Sequence, residues 1–519
     1  MNTKTLKGIL LYSLILIGSA LAVFAAIIII MFIFPNLKLF GYGMISKKQT
    51  LTNSTSISTA DASSEFDIVV SANNFDVIIT CSSDESISYT LFNNCLGASN
   101  IANATANEEL TENSYSLNIT EPSGVVFYRD SYLKINVPSG LTYNLTAKSG
   151  SGNISVSNLN LNNLKIKTGS GNFYISTAEQ TNLELNNVDI STNSGNFDFK
   201  SKYENVKITN GLTFNANKGD ITFKNLESDV ELVGKDIYFE ANTLKTSQNG
   251  FEANVSNIVL KIFHLNSPGG SSQNSILASS CLININELTG TSSIKSSNGT
   301  ITIGTTNSPT IIYSSDGNVN VTTAKENIKI DCEYSDITLT EYEESAYIKS
   351  LSGNISAKST SEDYTNNSTK IITSSGSITH ETNGVPFEII SKGNSDISVT
   401  INKFSYDKDT IKFGNDDKAS YLIDAPNSSV KVKYSAGYYF KYLIAKNTII
   451  ENSINFKSYT TPTISPSETN LVVDSSRETS IEEGVFNNQD DKNNFIKNNL
   501  SLLKIIAYKL TIASIYIAP

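Results

Sequence analysis

Ala147-Lys148-Ser149-Gly150-Ser151-Gly152-Asn153-Ile154-Ser155-Val156 decides the fold. Around Gly152, Ile154 and Val156 follow at two and four residues, and Ala147 and Leu145 precede at five and seven. Three further marks, Gly171, Gly195 and Gly219, carry the same offsets. Phe173, Phe197 and Ile221 stand two after; Ile166, Ile190 and Phe214 stand five before. Later marks are Gly299, Gly317, Ser335, Gly353, Gly376 and Ser395. Ile301, Val319, Ile337, Ile355, Ile378 and Ile397 follow at two; Ile294, Ile312, Ile330, Ile348, Ile371 and Ile390 precede at five. Successive strand side chains point to opposite faces, so a register held on both sides of a turn puts every apolar offset on one side.

Neighbouring marks are mostly 18–24 residues apart, the range of solenoid repeats. No single strand–turn–strand unit can bury its apolar face, whereas stacked units share a continuous core. The chain over 141–402 therefore reads as a parallel β-solenoid. Ser155, Thr222, Thr302, Asn320, Thr338, Ser356 and Ser398 fall between the apolar offsets and should face water. Glycine at the mark permits a positive φ. Asn153, Asn172, Asn196, Asn318 and Asn354, with Asp220, Asp336 and Asp396 as variants, should cap the turn backbone. Between Gly219 and Gly299 the register fades, but the 80-residue gap (299 − 219) equals about four turns of ~20 residues, expected to be degenerate coils.

Residues 65–140 alternate in longer runs, such as Phe66–Val70, Phe75–Ile79 and Tyr132–Pro138, and are expected to cover the open end of the stack. Residues 403–465, with Tyr434, Tyr438, Tyr439, Phe440 and Tyr442, are expected to cover the other end. A polar, acidic linker follows over 466–499. In the apolar 500–519 tail, Leu503, Ile506, Leu510, Ala513 and Ile517 share one helical face, consistent with an interfacial helix or with packing on the solenoid.

Taken together, the N-terminal apolar run, the Phe66–Ile79 strands, Leu133–Pro138 and the Ala147–Ile154 motif with its repeats resemble a family of candidate bacterial adhesins built from β-strand repeats and known by a domain of unknown function. The resemblance spans roughly 65–400. It implies a right-handed β-solenoid and a cell-surface or envelope location, and it implies no catalytic activity. The expected fold class is thus all-β: a right-handed parallel β-solenoid with β-rich covers at both ends, preceded by one transmembrane helix.

That helix is read over 9–34, where Ile9 to Phe34 carry no charge and are long enough to span a ~30 Å hydrocarbon core. Ala20-Leu21-Ala22 resembles a signal-peptidase site, but the apolar run continues beyond it, which favours an uncleaved anchor. Residues 1–8 are then cytoplasmic and the large C-terminal region extracellular, on a 35–64 stalk rich in Ser and Thr from Ser46 to Ser64. Lysines flank both ends of the run, so their count does not set the orientation.

Composition narrows the function classes. The 519 residues carry a net charge of −11, and only Arg129 and Arg477 are arginines, which argues against nucleic acid. Tryptophan is absent and His264 and His380 are the only histidines, so neutral acid–base chemistry and histidine metal sites are poorly supplied. Asp198, Asp220, Asp316, Asp336 and Asp396 lie near turns and alternate with Asn and Ser, as turn residues do rather than a glycosidase pair. His380 takes the core offset four after Gly376 and reads as a partly buried spacer; His264 has no ligand partner at sequence spacing. No catalytic, cofactor or metal residue is assigned.

Cys81 and Cys95 flank a strand and hairpin and are the candidate disulfide of an oxidising compartment. Cys281 and Cys332 lie coils apart and read as core residues. The Ser267-Pro268-Gly269-Gly270-Ser271-Ser272 run reads as a protruding loop and is the candidate binding loop. The expected protein is a membrane-anchored surface β-solenoid, adhesin-like and non-catalytic, meeting the lipid bilayer through 9–34 and a surface glycan or protein through its loops. A polysaccharide-active solenoid enzyme, and an envelope sensor or scaffold with a membrane-protein partner, are the alternatives.

Overall fold

In the structure, a computed structural model, residues 17–23, 25–26, 29, 44–57, 65–98, 101–121, 126–176, 181–268, 273–361, 363, 366–383, 385–401, 405–407, 410–412, 421–434 and 444–451 are described. They fall into two compact units, 1–179 and 180–519. Within the 9–34 run the described residues 17–23, 25–26 and 29 are helical. No helix among the described residues is long and apolar enough to cross a membrane. The rest of that run, the 466–499 linker and the 500–519 tail lie outside the described residues.

In the first unit the coil pairing begins earlier than the sequence suggested. Glu65–Ala72 runs parallel to Thr142–Ser149, with Ile68 against Leu145 and Val70 against Ala147. Asp76–Ser82 pairs in parallel with Ile154–Ser157, with Val77 against Ile154 and Ile79 against Val156. Residues 65–82 therefore form a coil of the same kind and not a separate cover. On their far side, Ser114–Thr120 and the C-terminal part of Val126–Pro138 pair with them, again in parallel. The covering strands are antiparallel: Ser86–Ala98 on Val126–Pro138, Met44–Ser56 on Ser86–Ala98, and Thr105–Leu110 on Ser114–Thr120.

The expected stalk is corrected in the same way, since Met44–Ser56 is an ordered edge strand. Its side chains tie it down: Lys47 Nζ donates to the Ile101 carbonyl at 2.6 Å, and Gln49 Nε2 to that of Ala104 at 2.8 Å. Its Ser/Thr/Asn composition suits a solvent-facing strand as well as a linker, so composition alone does not separate the two.

The second unit is a parallel β-solenoid of the right-handed type, with about 12 turns. The gap between Gly219 and Gly299 holds four steps, through Ile237, Ile258 and Cys281. These coils are not degenerate. Leu212–Glu227, Val230–Lys245, Phe251–Asn266, Gln273–Thr289 and Thr291–Thr306 are continuous strands of 16 or 17 residues. Phenylalanines fill their core: Phe199 stacks on Phe223 with centroids 4.9 Å apart, and Phe239 meets Phe251 edge-on at 5.6 Å.

Core offsets fall inside as expected for nine marks; the tenth slips. Ile390, five before Ser395, is half-buried on the outer side, and Ile389 is fully buried in its place. Four residues separate Ser391 from Ser395 where three separate the stacked Thr373 and Gly376, so one extra turn residue shifts the preceding strand. The stack also continues past 402. Tyr421–Tyr434 runs parallel to Phe387–Ser391 and Ser395–Ile401, and Ile444–Glu451 stacks on Tyr421–Tyr434. Among the described residues of 403–465, these strands thus add coils, beside a small antiparallel hairpin, Ser405–Asp407 and Thr410–Lys412. Tyr438, Tyr439, Phe440 and Tyr442 lie outside the described residues.

Candidate functional surfaces

The turns are held by the side chains the sequence places there. Asp76 Oδ1 accepts the Asn153 N–H at 2.7 Å, and Asn153 Oδ1 accepts the Asn172 N–H at 3.0 Å. In the second unit, Asp336 caps Asn354 at 2.7 Å, and Asn354 caps Ser377 at 3.0 Å. Each Asx thus holds the next coil, and amide ladders such as Asn182–Asn205–Asn225 add side-chain links at 2.7 and 3.1 Å. Ser and Thr before the marks bond turn carbonyls, as Ser314 Oγ does to Asp316 O and Thr373 Oγ1 to Ser375 O.

Glycine is required for two reasons, only one of which is φ. Gly317 has φ +117°, and an added Cβ would also meet the Gly299 carbonyl of the coil before it. Gly171 is not in the positive-φ region, yet a Cβ there would meet the Gly152 carbonyl. The close stacking of coils itself selects glycine.

The carboxylates work the same way. Asp198 accepts the Ser201 N–H at 3.1 Å and the Thr222 hydroxyl at 2.9 Å. Asp229 accepts the N–H groups of Ser247, Gln248, Asn249 and Gly250 at 2.6–3.2 Å. Burial pushes the Asp229 carboxyl up, but the N–H groups of Asn249, Ser247 and Gly250 outweigh it and hold it below the usual range. Among the described residues no cluster of three or more His, Cys, Asp or Glu is placed to hold a metal ion.

His380 is buried fully, not partly. It stacks between Ala357 and Val399, with the Tyr342 ring 6.5 Å and the Phe387 ring 5.2 Å away. Neither ring nitrogen makes a hydrogen bond of normal geometry. Burial drives its pKa down to about 4, offset only in part by the Ala357 backbone. His264 does have a carboxylate partner: Glu287, its register neighbour on the next coil, lies 2.9 Å from Nδ1. The two are 23 residues apart in sequence, and only the stacking register would have revealed them.

The cysteine pairing is overturned. All four cysteines are free. Cys81 is opposite Val137 and Cys95 opposite Arg129, on two sides of one strand. Eight residues of strand (137 − 129) span roughly 26 Å, far beyond the ~7 Å Cα limit for a disulfide. Buried Cys281 and Cys332 match their expected core role.

The candidate loop is only partly described. Ser267 is fully buried: its hydroxyl donates to Asn274 Oδ1 at 2.7 Å and accepts from Thr246 at 2.8 Å. It anchors the loop and is not available as a contact residue. Pro268 is exposed, and Gly269, Gly270, Ser271 and Ser272 lie outside the described residues.

What the second unit presents most regularly is a polar outer face. Thr300 and Thr302 stack on Asn318 and Asn320, then on Asp336 and Thr338, and so on through Ser377 and Thr379 to Asp396 and Ser398. All are exposed or half-exposed. Two columns of hydroxyl, amide and carboxylate groups thus repeat once per coil, at the ~4.8 Å strand spacing. Such a face can make many parallel hydrogen bonds to an extended polar ligand. Exposed Phe263 and Leu282 interrupt the polar surface on the earlier coils.

Residues 66–403 match the family described as Toastrack DUF4097. Among solved structures, one of a candidate cell adhesion protein from Clostridium sporogenes is similar at 10% identity and a TM-score of 0.21, over 42% of this chain and all of that one. Another, of a candidate adhesin from Parabacteroides merdae, is similar at 13% identity and a TM-score of 0.17, over 67% of this chain and 96% of that one. No curated protein matches the chain.

Proposed function

We propose, from the premise that the chain belongs to the Toastrack DUF4097 family, that it is a surface-displayed, adhesin-like binding module without catalysis. Residues 9–34 anchor it in the lipid bilayer, and the coils stand on the outer side, where a glycan or protein ligand meets them. The observation that supports this reading is the two-column polar face from Thr300 to Ser398: a rigid backbone holds its donors and acceptors at a fixed repeat, so little ordering entropy is lost on binding. The turn carboxylates are engaged in capping, which supports a structural rather than a catalytic role for them.

Binding of the full chain to a glycan array and to whole cells tests this directly. Replacing Asn320, Thr338 and Ser356 by lysine should abolish binding while leaving the melting transition in place. Unchanged binding by that variant, or product release from a polysaccharide, would reject the reading. Protease added to intact cells should digest the chain beyond residue 50; full protection would reverse the orientation.

A further inference from the structure

On the coils around His380, the core column four residues past each mark is aliphatic. It holds Val321, Leu339 and Ala357 before His380, and Val399 and Val432 after it. His380 is 1% exposed, and its ring nitrogens make no hydrogen bond of normal geometry. The neutral ring has one donor and one acceptor to satisfy; the imidazolium has two donors and a charge. Ile355–Ser359 and Ser395–Ile401 stack on its strand, Thr369–Thr373 shares its coil, and Asp336–Tyr342 and Phe387–Ser391 bring rings to it. Among the described residues, Tyr342 is the one titratable side chain these strands turn towards the ring. Burial pushes the Tyr342 phenol up, so it stays neutral, and its hydroxyl is shared with Thr369 Oγ1 at 2.5 Å. The charges of these strands lie on the outer side, where Lys358 pairs with Glu341 at 3.1 Å, Lys370 pairs with Glu388 at 2.7 Å, and Glu381 and Asp396 also point. A leucine would fill the core position at every pH, so the imidazole adds only a cost that grows with acid.

We propose that His380 is an acid-operated release for the C-terminal end of the stack: its protonation frees the coils from Thr369 onward, while those up to Ser359 stay folded. Each solenoid coil contacts only its neighbours, so the stack can open from an end without losing the rest. Beyond His380 the column has three more described layers, at Val399, Val432 and Ile450. On the other side eight layers run back from Ala357 to Phe223. The short end is therefore the one that opens. Opening gives the ring to water and withdraws Thr379, Asp396 and Ser398 from the outer polar columns. The ring titrates near its ordinary 6.5 when exposed and at about 4 when buried. The closed end is thus fully favoured above pH 6.5 and loses ground as pH falls from there towards 4. Between pH 7 and pH 5 the opening equilibrium should rise about 20-fold.

Hydrogen–deuterium exchange of the full chain at pH 7 and pH 5, read by mass spectrometry as protection factors, tests the release. Protection factors divide out the intrinsic pH dependence of amide exchange. Peptides within 369–401 should lose about 20-fold in protection at pH 5, and peptides within 212–306 should change by less than about twofold. His380→Leu, which repeats the Leu339 side chain in the same column, should abolish the difference over 369–401. His380→Gln, polar but non-titrating in this range, should lower protection there equally at both pH values. Unchanged protection of 369–401 in the parent chain overturns the proposal, and so does an equal loss along the whole solenoid. A pH-dependent loss that persists in both variants also overturns it, by placing the titrating group elsewhere.

Discussion

Ile337→Asp, set beside Thr338→Asp, puts the inside–outside assignment at risk in a single residue step. Ile337 is 1% exposed and stacks between Val319 and Ile355; Thr338 is exposed, between Asn320 and Ser356. Removing the isoleucine forfeits about 1.5–3 kcal/mol of apolar burial. A carboxylate cannot stay charged there, and a buried acid can rise 3–5 pK units. Protonating an aspartate of ordinary pKa ~3.9 at pH 7 costs about 4 kcal/mol, at 1.36 kcal/mol per unit. The sum, about 6 kcal/mol or more, is comparable to the ~5–15 kcal/mol that holds a whole domain. Thr338→Asp should stay within about 0.5 kcal/mol. The protonation part shrinks as pH falls towards the ordinary aspartate pKa, so the gap between the variants should narrow by about 4 kcal/mol from pH 7 to pH 4. Urea unfolding followed by circular dichroism at both pH values measures this. Coincident midpoints at pH 7 would refute the assignment, and a pH-independent gap would refute the buried-carboxyl argument.

Three other outcomes are expected. His380 has a folded pKa of about 4, below its ordinary 6.5, so the folded state resists protonation that the unfolded chain accepts below pH 6.5. Stability is lost as pH falls through that window, and His380→Leu should gain on the parent by about 3 kcal/mol in total by pH 4, read as a widening difference in urea midpoint. Gly317→Ala combines a left-handed φ with a blocked Cβ and should cost about 2–4 kcal/mol in thermal or urea unfolding. Asp229→Ala removes an acceptor shared by four turn N–H groups and should cost about 1–2 kcal/mol at pH 7. Because the Asp229 pKa is held low, its contribution is present above the ordinary carboxylate range and fades as pH falls through the folded value, so parent and variant should converge in acid.

The coils were legible wherever a tight turn imposed glycine, because one carbonyl stacked against the next leaves no space for Cβ at positions such as Gly171. In Val230–Lys245, Phe251–Asn266 and Gln273–Thr289, Ile237, Ile258 and Cys281 occupy the mark in place of glycine; only the 80-residue arithmetic kept the coil count. The first coil, 65–82, was hidden because its stack partner, Thr142–Ser149, follows some 70 residues later, after the covering strands. The cysteine pairing failed for the same reason: a hairpin reading places Cys81 near Cys95, whereas the ladder sets them on opposite sides and ends of Val126–Pro138. For the surface, the polar columns followed from the offsets. The burial of Lys329 and Tyr347 did not, since nothing within a strand records what lies over its outer face.

Pulsed electron–electron distance measurement on the outer column tests the stacked-coil account most directly. Thr302, Asn320, Thr338, Ser356 and Thr379 are successive register partners, so Thr302 and Thr379 stand four steps apart despite a separation of 77 residues (379 − 302). Nitroxides at those two positions, in a chain with its four cysteines replaced by alanine, should give a narrow distribution near 19 Å. Moving the second label to Ser398, the next partner, should add about 5 Å. Distances that fail to grow by one strand spacing per coil would contradict the parallel solenoid.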